Sequence, residues 1–311
     1  MVSDALRRDF EKQQYRVVGN HSVVKVCEWT KKSLRGGKLC YKNTFYGIHS
    51  WQCVEMSPTW FCDHRCVFCW RDTKYSWPSW SGPVDDPKLI VDGCIREWKK
   101  LLFGFGGFDK TDKKRYQEAM SPKHFAISLT GEPTFYPRLP ELIDEIHSRG
   151  MTSFLVTNGT VPDMIEKLLT HQPTQIYVSI VGPDKETYVK VADPLPKDSW
   201  NRLMKTLRLL KNFKRSVLRL TLVKGLNMFD PEGYASLVRL ADPDWVELKA
   251  YMFIGHSRER LEIENMPLHK DIKEFAARLA EILGWKIVSE RAESRVVLLA
   301  KNDSEDRFLS F

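Results

Sequence analysis

Cys62-Asp63-His64-Arg65-Cys66-Val67-Phe68-Cys69-Trp70 sets three thiols at spacings of four and three residues inside one short loop. A loop of that length can wrap until all three sulfurs face a common point, which suits a metal site better than a disulfide framework. Three thiolates on a four-iron cluster leave one iron open to a further ligand. A structural zinc wants four ligands, and no fourth Cys or suitably spaced His follows Cys69. The chain carries seven Cys, an odd number, and its start (Met1-Val2-Ser3-Asp4) lacks the basic-then-apolar plan of a signal peptide. Both features point to reduced thiols, metal ligation and a cytoplasmic protein.

Upstream of the loop lies a second series, Cys27, Cys40 and Cys53, with twelve residues in each gap. Three buried inert thiols would be unremarkable in a core. Cys27 and Cys40, however, sit in a basic segment (Lys31, Lys32, Arg35, Lys38, Lys42) that reads as a loop around Gly36-Gly37. Cationic surroundings lower a thiol pKa and favour the thiolate that metals need. Residues before this segment read as a polar helix from Asp4 to Gln14. Cys94 reads as an ordinary thiol on a helix that begins after Asp85-Asp86-Pro87.

Downstream, the turn-rich aromatic run Trp77-Pro78-Ser79-Trp80-Ser81-Gly82-Pro83 leads to that helix, and Gly104-Phe105-Gly106-Gly107 reads as a flexible break after it. An alternation of strands and helices follows. Apolar strands are expected at 124–129, 152–157, 175–180, 217–222 and 245–250, with helices at 139–149, 163–169, 200–213 and 233–240. Counting the segment before Cys62 as a first strand gives six β/α units. Near-continuous apolar strands with helical crossovers imply a parallel sheet covered by helices. Six units fall short of the eight that close a barrel, so the expected architecture is α/β, a partial TIM-like (βα)6 barrel. A helix at 267–283 and strands near 285–288 and 295–300 form a C-terminal edge. The expected division is an N-terminal extension (1–56), a barrel core (57–255) and edge elements (256–311) completing the same domain.

In parallel α/β folds the chemistry gathers at the carboxyl ends of the strands. Three such ends carry polar candidates: Gly131-Glu132-Pro133, Asn158-Gly159 and Ser179. Arg219 and Thr221, alternate residues of one strand, share a face. A net charge of +8 and ten Trp are compatible with a phosphate-rich partner whose bases stack on exposed rings. Lys31, Lys32, Arg35, Lys38, Lys74, Trp77, Trp80, Arg115, Arg258 and Arg260 are among the candidates for such contacts. No apolar run reaches the length of a membrane span.

The C-x3-C-x2-C pattern, with Phe68 just before its last Cys, resembles the signature of the radical S-adenosylmethionine (SAM) superfamily. Within it, Cys40–Gly47, Cys66–Arg71, Pro122–Leu129 and Glu247–Met252, together with the two Cys triads, resemble the archaeal 4-demethylwyosine synthases over nearly the whole chain. That resemblance implies a [4Fe–4S] cluster on Cys62, Cys66 and Cys69, and a second on Cys27, Cys40 and Cys53. Gly131, Glu132, Asn158 and Ser179 would contact SAM, although Thr130 stands where relatives carry a first Gly. The activity implied is that of a lyase. Reductive cleavage of SAM gives methionine and 5′-deoxyadenosine, and carbons of pyruvate condense with 1-methylguanosine beside the anticodon of tRNA(Phe). An external flavodoxin- or ferredoxin-like electron donor and a monomeric enzyme are implied as well. The resemblance leaves the open iron of that second cluster free to chelate pyruvate through its carboxylate and keto oxygens. Lys42 is the competing candidate, for an imine with the keto acid, against its plainer role as a solvated cation. Two other functions stay open at this stage: a different radical SAM methyl- or methylthiotransferase of RNA, and a zinc-stabilised RNA-binding protein.

Overall fold

The computed structural model describes residues 4–310. Its sheet has ten strands in the order β1-β2-β3-β4-β5-β6-β7-β8-β10-β9. The central six are β3 (Cys53–Ser57), β4 (His124–Ile127), β5 (Thr152–Thr157), β6 (Gln175–Ile180), β7 (Ser216–Leu222) and β8 (Trp245–Ala250), all parallel. These are the expected strands, and the barrel they outline is open. Antiparallel pairs extend both edges: β1 (Arg16–Val18) and β2 (Ser22–Lys25) beside β3, and β10 (Val296–Ala300) and β9 (Lys286–Arg291) beside β8.

Among the described residues eleven α-helices accompany the sheet: α1 (Asp4–Lys12), α2 (Glu28–Leu34), α3 (Tyr41–Tyr46), α4 (Pro87–Gly106), α5 (Lys113–Ala119), α6 (Leu139–Ser148), α7 (Pro162–Lys167), α8 (Lys185–Ala192), α9 (Ser199–Leu210), α10 (Pro231–Ala241) and α11 (His269–Leu283). The large core lies between sheet and helices, where α4 buries Ile90, Val91, Cys94, Trp98 and Leu102. Asp86 caps α4 through Lys88 N, with Pro87 in the first turn, a standard helix start. Gly93 lets α4 cross β1 closely, since a Cβ there would stand 2.3 Å from Cγ1 of Val18.

A second core fills the hollow of the sheet. Tyr41, Phe45 and Tyr46 of α3 pack there against Phe154, Tyr177, Val217, Val296 and Leu298. Burying aromatics of this size contributes about 1.5–3 kcal/mol each, so α3 works as a plug that the open barrel needs. The segment expected to be a loop keeps a loop at 35–40 around Gly36-Gly37, but its two flanks are helical. Cys27 and Cys40 stand immediately before α2 and α3 as their N-cap residues. Helices of seven and six residues are too short to display a 3.6-residue period against so much charge.

Other expectations also shift. The Gly104–Gly106 stretch continues α4 and is no break, because the helix packs along its length. The N-terminal helix ends at Lys12, before β1. Strand β3 straddles residue 56, where the extension was expected to end, so Cys53 belongs to the first strand of the parallel sheet.

Candidate active site

The loop after β3 is held from three sides. Cys62 bridges to Ser76, and Trp77 N donates to Cys62 O at 3.0 Å. Val67 N donates to Val191 O at the end of α8, and Leu195 N to Asp63 O. Inside the loop, Arg71 donates to His64 O at 2.6 Å and to Tyr75 O at 3.0 Å. Burial works against its cation, yet the thiols of Cys62, Cys69 and Cys66 outweigh that and raise its pKa. Arg260 donates to Val67 O at 3.1 Å and to Cys69 O. Arg260 was a candidate for RNA contact; it faces the cysteine loop instead.

Two of the three strand ends meet this loop. Asn158 Nδ2 donates to Asp63 Oδ1 at 2.7 Å and lies 3.7 Å from Cys62 Sγ. Thr160 Oγ1 donates to the other oxygen of Asp63, also at 2.7 Å. Glu132 Oε1 accepts from Thr134 N, Thr134 Oγ1 and Thr157 Oγ1, while Oε2 accepts only from Asn158 N, at 2.7 Å. Burial pushes the Glu132 carboxyl up to about 7 in spite of these bonds. Gly131 has φ +66°, and a Cβ there would meet the carbonyl oxygens of Thr59 and Phe61 at 2.5 Å. Thr130, the departure from the expected Gly, donates its N–H to Ser57 Oγ at 2.9 Å. Ser179 is half-buried on β6, two residues past Tyr177 on the same face and opposite Arg219.

Cys27, Cys40 and Cys53 come from three elements and line one cavity of about 500 Å³ with Lys42, Glu55, Ser128, Arg219, Lys249 and Trp70. Trp70 directly follows Cys69, so the cavity runs from the second thiol triad to the cysteine loop. Burial, then Glu55 and Cys40, push the Cys27 thiol up to about 12; Cys53 is likewise pushed up by burial and by Cys27. The expectation that cations lower these thiols is thus corrected: Lys42 and Lys249 pull Cys40 down only partly against burial. Among the described residues no three His, Cys, Asp or Glu side chains are gathered as a single metal ion requires. A cubane carries its irons at separate corners and its cysteines stand further apart than the ligands of one zinc ion, so three thiols that line one cavity without gathering at a point are compatible with a cluster rather than with a single zinc.

Lys42 is buried on α3, not solvated. Its Nζ lies 4.9 Å from the Tyr177 ring centroid and 5.3 Å from that of Phe154. Burial, and then the Arg219 charge, lower its pKa. Behind it, Glu247 is fully buried, with Oε1 accepting from Tyr46 at 2.8 Å and Oε2 from Arg219 at 3.0 Å and Tyr41 at 3.3 Å.

A model of the radical SAM superfamily matches residues 56–238, and one of wyosine base formation matches residues 240–301. The S-adenosyl-L-methionine-dependent tRNA 4-demethylwyosine synthase of Pyrococcus abyssi is 51% identical over 94% of this chain and 88% of its own length. The chain belongs to the tRNA 4-demethylwyosine synthase family. Two solved structures agree with that membership. Archaeal TYW1 superposes with a TM-score of 0.82 at 32% identity, covering 99% of this chain and 100% of that one. TYW1 with a lysine–pyruvate adduct bound gives 0.88 at 35% identity, covering 99% and 98%. As a radical SAM protein, a 4-demethylwyosine synthase uses SAM and a [4Fe–4S] cluster.

Sequence reasoning passed over Asp63, Arg71, Glu55, Glu247 and Lys249 in this 4-demethylwyosine synthase site. A usable signal existed for the last two: charges at alternate positions of an otherwise apolar inner strand must face something polar. Among the basic residues considered for RNA, Lys38 pairs with Glu293 and Lys74 with Asp72 at 2.7 Å. Trp77 stays exposed at the rim, edge-on to Trp60 at 5.0 Å. No described helix is long and apolar enough to cross a membrane.

Proposed function

We propose that this chain is a tRNA 4-demethylwyosine synthase that condenses carbons of pyruvate with 1-methylguanosine beside the anticodon of tRNA(Phe). The observation that carries the reading is the shared cavity, which brings Cys27, Cys40, Cys53 and Lys42 within reach of the Cys62–Trp70 loop. Cys62, Cys66 and Cys69 would hold one [4Fe–4S] cluster, and Cys27, Cys40 and Cys53 a second. When bound, the first supplies the electron that cleaves SAM reductively.

The chain's own residues do the rest. Gly131, Glu132, Asn158 and Ser179 line the approach to the first cluster; Glu132 Oε2 keeps an open lone pair for the SAM ammonium, and Ser179 faces the hollow. Lys42 Nζ adds to the keto carbon of pyruvate, a C–N bond forms and water leaves, giving an imine. The rings of Phe154 and Tyr177 keep that amine from water. The lysine–pyruvate adduct of the TYW1 relative supports this use of an amine. The enzyme works in the cytoplasm as a monomer and draws electrons from a separate flavodoxin- or ferredoxin-like protein.

The test is direct. Cluster-loaded protein is incubated with SAM, pyruvate, dithionite and tRNA(Phe) bearing 1-methylguanosine, and nucleosides are resolved by mass spectrometry. A pyruvate-dependent tricyclic nucleoside is expected. Its absence, or a methylated product formed without pyruvate, overturns the reading.

A further inference from the structure

Lys249 is a half-buried cation that the scheme above does not use. It lies on the inner face of β8, two residues after Glu247, and lines the same cavity as Lys42. Glu247 would be its natural partner, but both oxygens of that carboxylate are already taken by Tyr46, Tyr41 and Arg219. Among the described residues Lys249 Nζ has no hydrogen bond and no ion pair; it lies over the Tyr41 ring at 5.1 Å, and Glu247 and Cys40 are the anionic groups that act on it from a distance.

The neighbouring charges are disposed differently. Arg219 is neutralised by Glu247 at 3.0 Å and bound to the Tyr41 hydroxyl at 2.9 Å. Lys25, which also lines the cavity, rests over Tyr15 at 4.7 Å. Among the described residues Glu55, a carboxylate on the cavity wall, forms no ion pair within 4 Å, although the charges of Lys42, Lys25 and Lys249 act on it, and Glu28 also lines the wall. Lys42 and Lys249 flank the same arginine. Arg219 shares the Tyr177 ring with Lys42, at 4.5 and 4.9 Å, and shares Tyr41 with Lys249. An unpaired ammonium in a partly desolvated wall is costly unless an anion completes it.

We propose that Lys249 receives the carboxylate of the 2-keto acid whose carbonyl condenses with Lys42, and thereby selects 2-keto acids over neutral ketones. This rests on the reading of Lys42 as the imine-forming amine. The covalent change stays at Lys42, where the C–N bond forms and water departs. The carboxylate keeps its charge and exchanges its hydration for the Lys249 ammonium, a charge-assisted hydrogen bond.

The test is cyanoborohydride trapping on the cluster-loaded protein under anaerobic conditions, with peptide mapping of the label. Pyruvate is compared with methyl pyruvate, the same ketone without the charge. Wild type is expected to label Lys42 at a pyruvate concentration at least tenfold below that needed with the ester. Lys249→Met raises the pyruvate requirement about tenfold and leaves the ester unchanged, while Lys249→Arg keeps most of the preference. Equal labelling of wild type by acid and ester overturns the proposal without any variant, and so does a pyruvate dependence unchanged in Lys249→Met. Label mapped to Lys249 reverses the two roles and also overturns it. Wild type that takes no label at all removes the Lys42 imine itself, a different failure that takes this inference with it.

Discussion

Asn158 donates its side-chain amide to Asp63 at 2.7 Å, joining the end of β5 to the residue after the first cysteine of the loop. Asp63 is fully buried, and Thr160 satisfies its second oxygen. The pair therefore sets the height of Cys62 above the sheet. Hydrogen bonds to a buried charge contribute about 1.5–3 kcal/mol. Asp63→Ala strands two donors and is expected to lower unfolding free energy by about 2–4 kcal/mol. It is also expected to lower the iron retained per chain after anaerobic reconstitution. Urea unfolding and iron assay check both; a variant with wild-type iron and stability would show that the tie does not position the loop.

Gly131 and Gly150 offer a matched comparison. Both have positive φ, +66° and +69°, but a Cβ at 131 would strike two carbonyl oxygens at 2.5 Å while at 150 nothing lies within 4 Å. Gly150→Ala is expected to cost about 1–2 kcal/mol, the left-handed backbone term alone. Gly131→Ala adds a clash with backbone that cannot yield, and a loss above about 4 kcal/mol is expected. Equal midpoints for the two variants in denaturant titration would contradict this account of the Gly-Glu-Pro turn.

The proposed contact of Glu132 with the SAM ammonium predicts that SAM binding depends on pH. Burial holds its carboxyl at about 7, so the group is mostly protonated below that pH and mostly charged above it. The groups around it are the hydroxyls of Thr134 and Thr157, the Asn158 amide and the Cys62 thiol. An ammonium ligand prefers the charged form. Affinity for SAM is therefore expected to be flat above about pH 8 and to fall by up to about tenfold per unit below 7. Glu132→Gln should bind SAM more weakly at pH 8 and lose the slope. Equilibrium dialysis between pH 6 and 8 decides it; a flat wild-type profile would remove Glu132 from contact with the ammonium.

Much of the fold was legible in the sequence because its parallel strands are nearly continuous apolar runs. Gln175–Ile180 and Trp245–Ala250 were bounded to the residue. Helices α2 and α3 were not, since a short helix whose purpose is to plug a hollow carries no period to read. The site divides the same way. The two cysteine triads are local patterns, and the cavity unites the second with Lys42. The Asp63–Asn158 tie joins residues 95 apart, and the Glu247 cage needs α3 folded against β8. No sequence window contains either.

That cage also carries stability. Glu247 with Arg219 forms a buried pair, 0% and 12% exposed at the side chains. Removing one partner of such a pair costs about 3–5 kcal/mol, because the other charge is left buried. Glu247→Ala is expected to fall in that range by urea denaturation. Glu247→Gln keeps the shape and the acceptor and is expected to lose less. A loss under about 1 kcal/mol in Glu247→Ala would mean the α3 plug does not depend on this carboxylate.

Iron counting reaches the core of the proposal: each thiol triad holds its own cluster, and the cavity lined by the second triad reaches Trp70 of the first triad's loop. Anaerobically reconstituted wild type should hold about eight irons per chain, and the triple variant Cys27→Ala, Cys40→Ala, Cys53→Ala about four, with the Cys62 loop still loaded. A wild type holding about four irons, unchanged in the triple variant, would contradict the account.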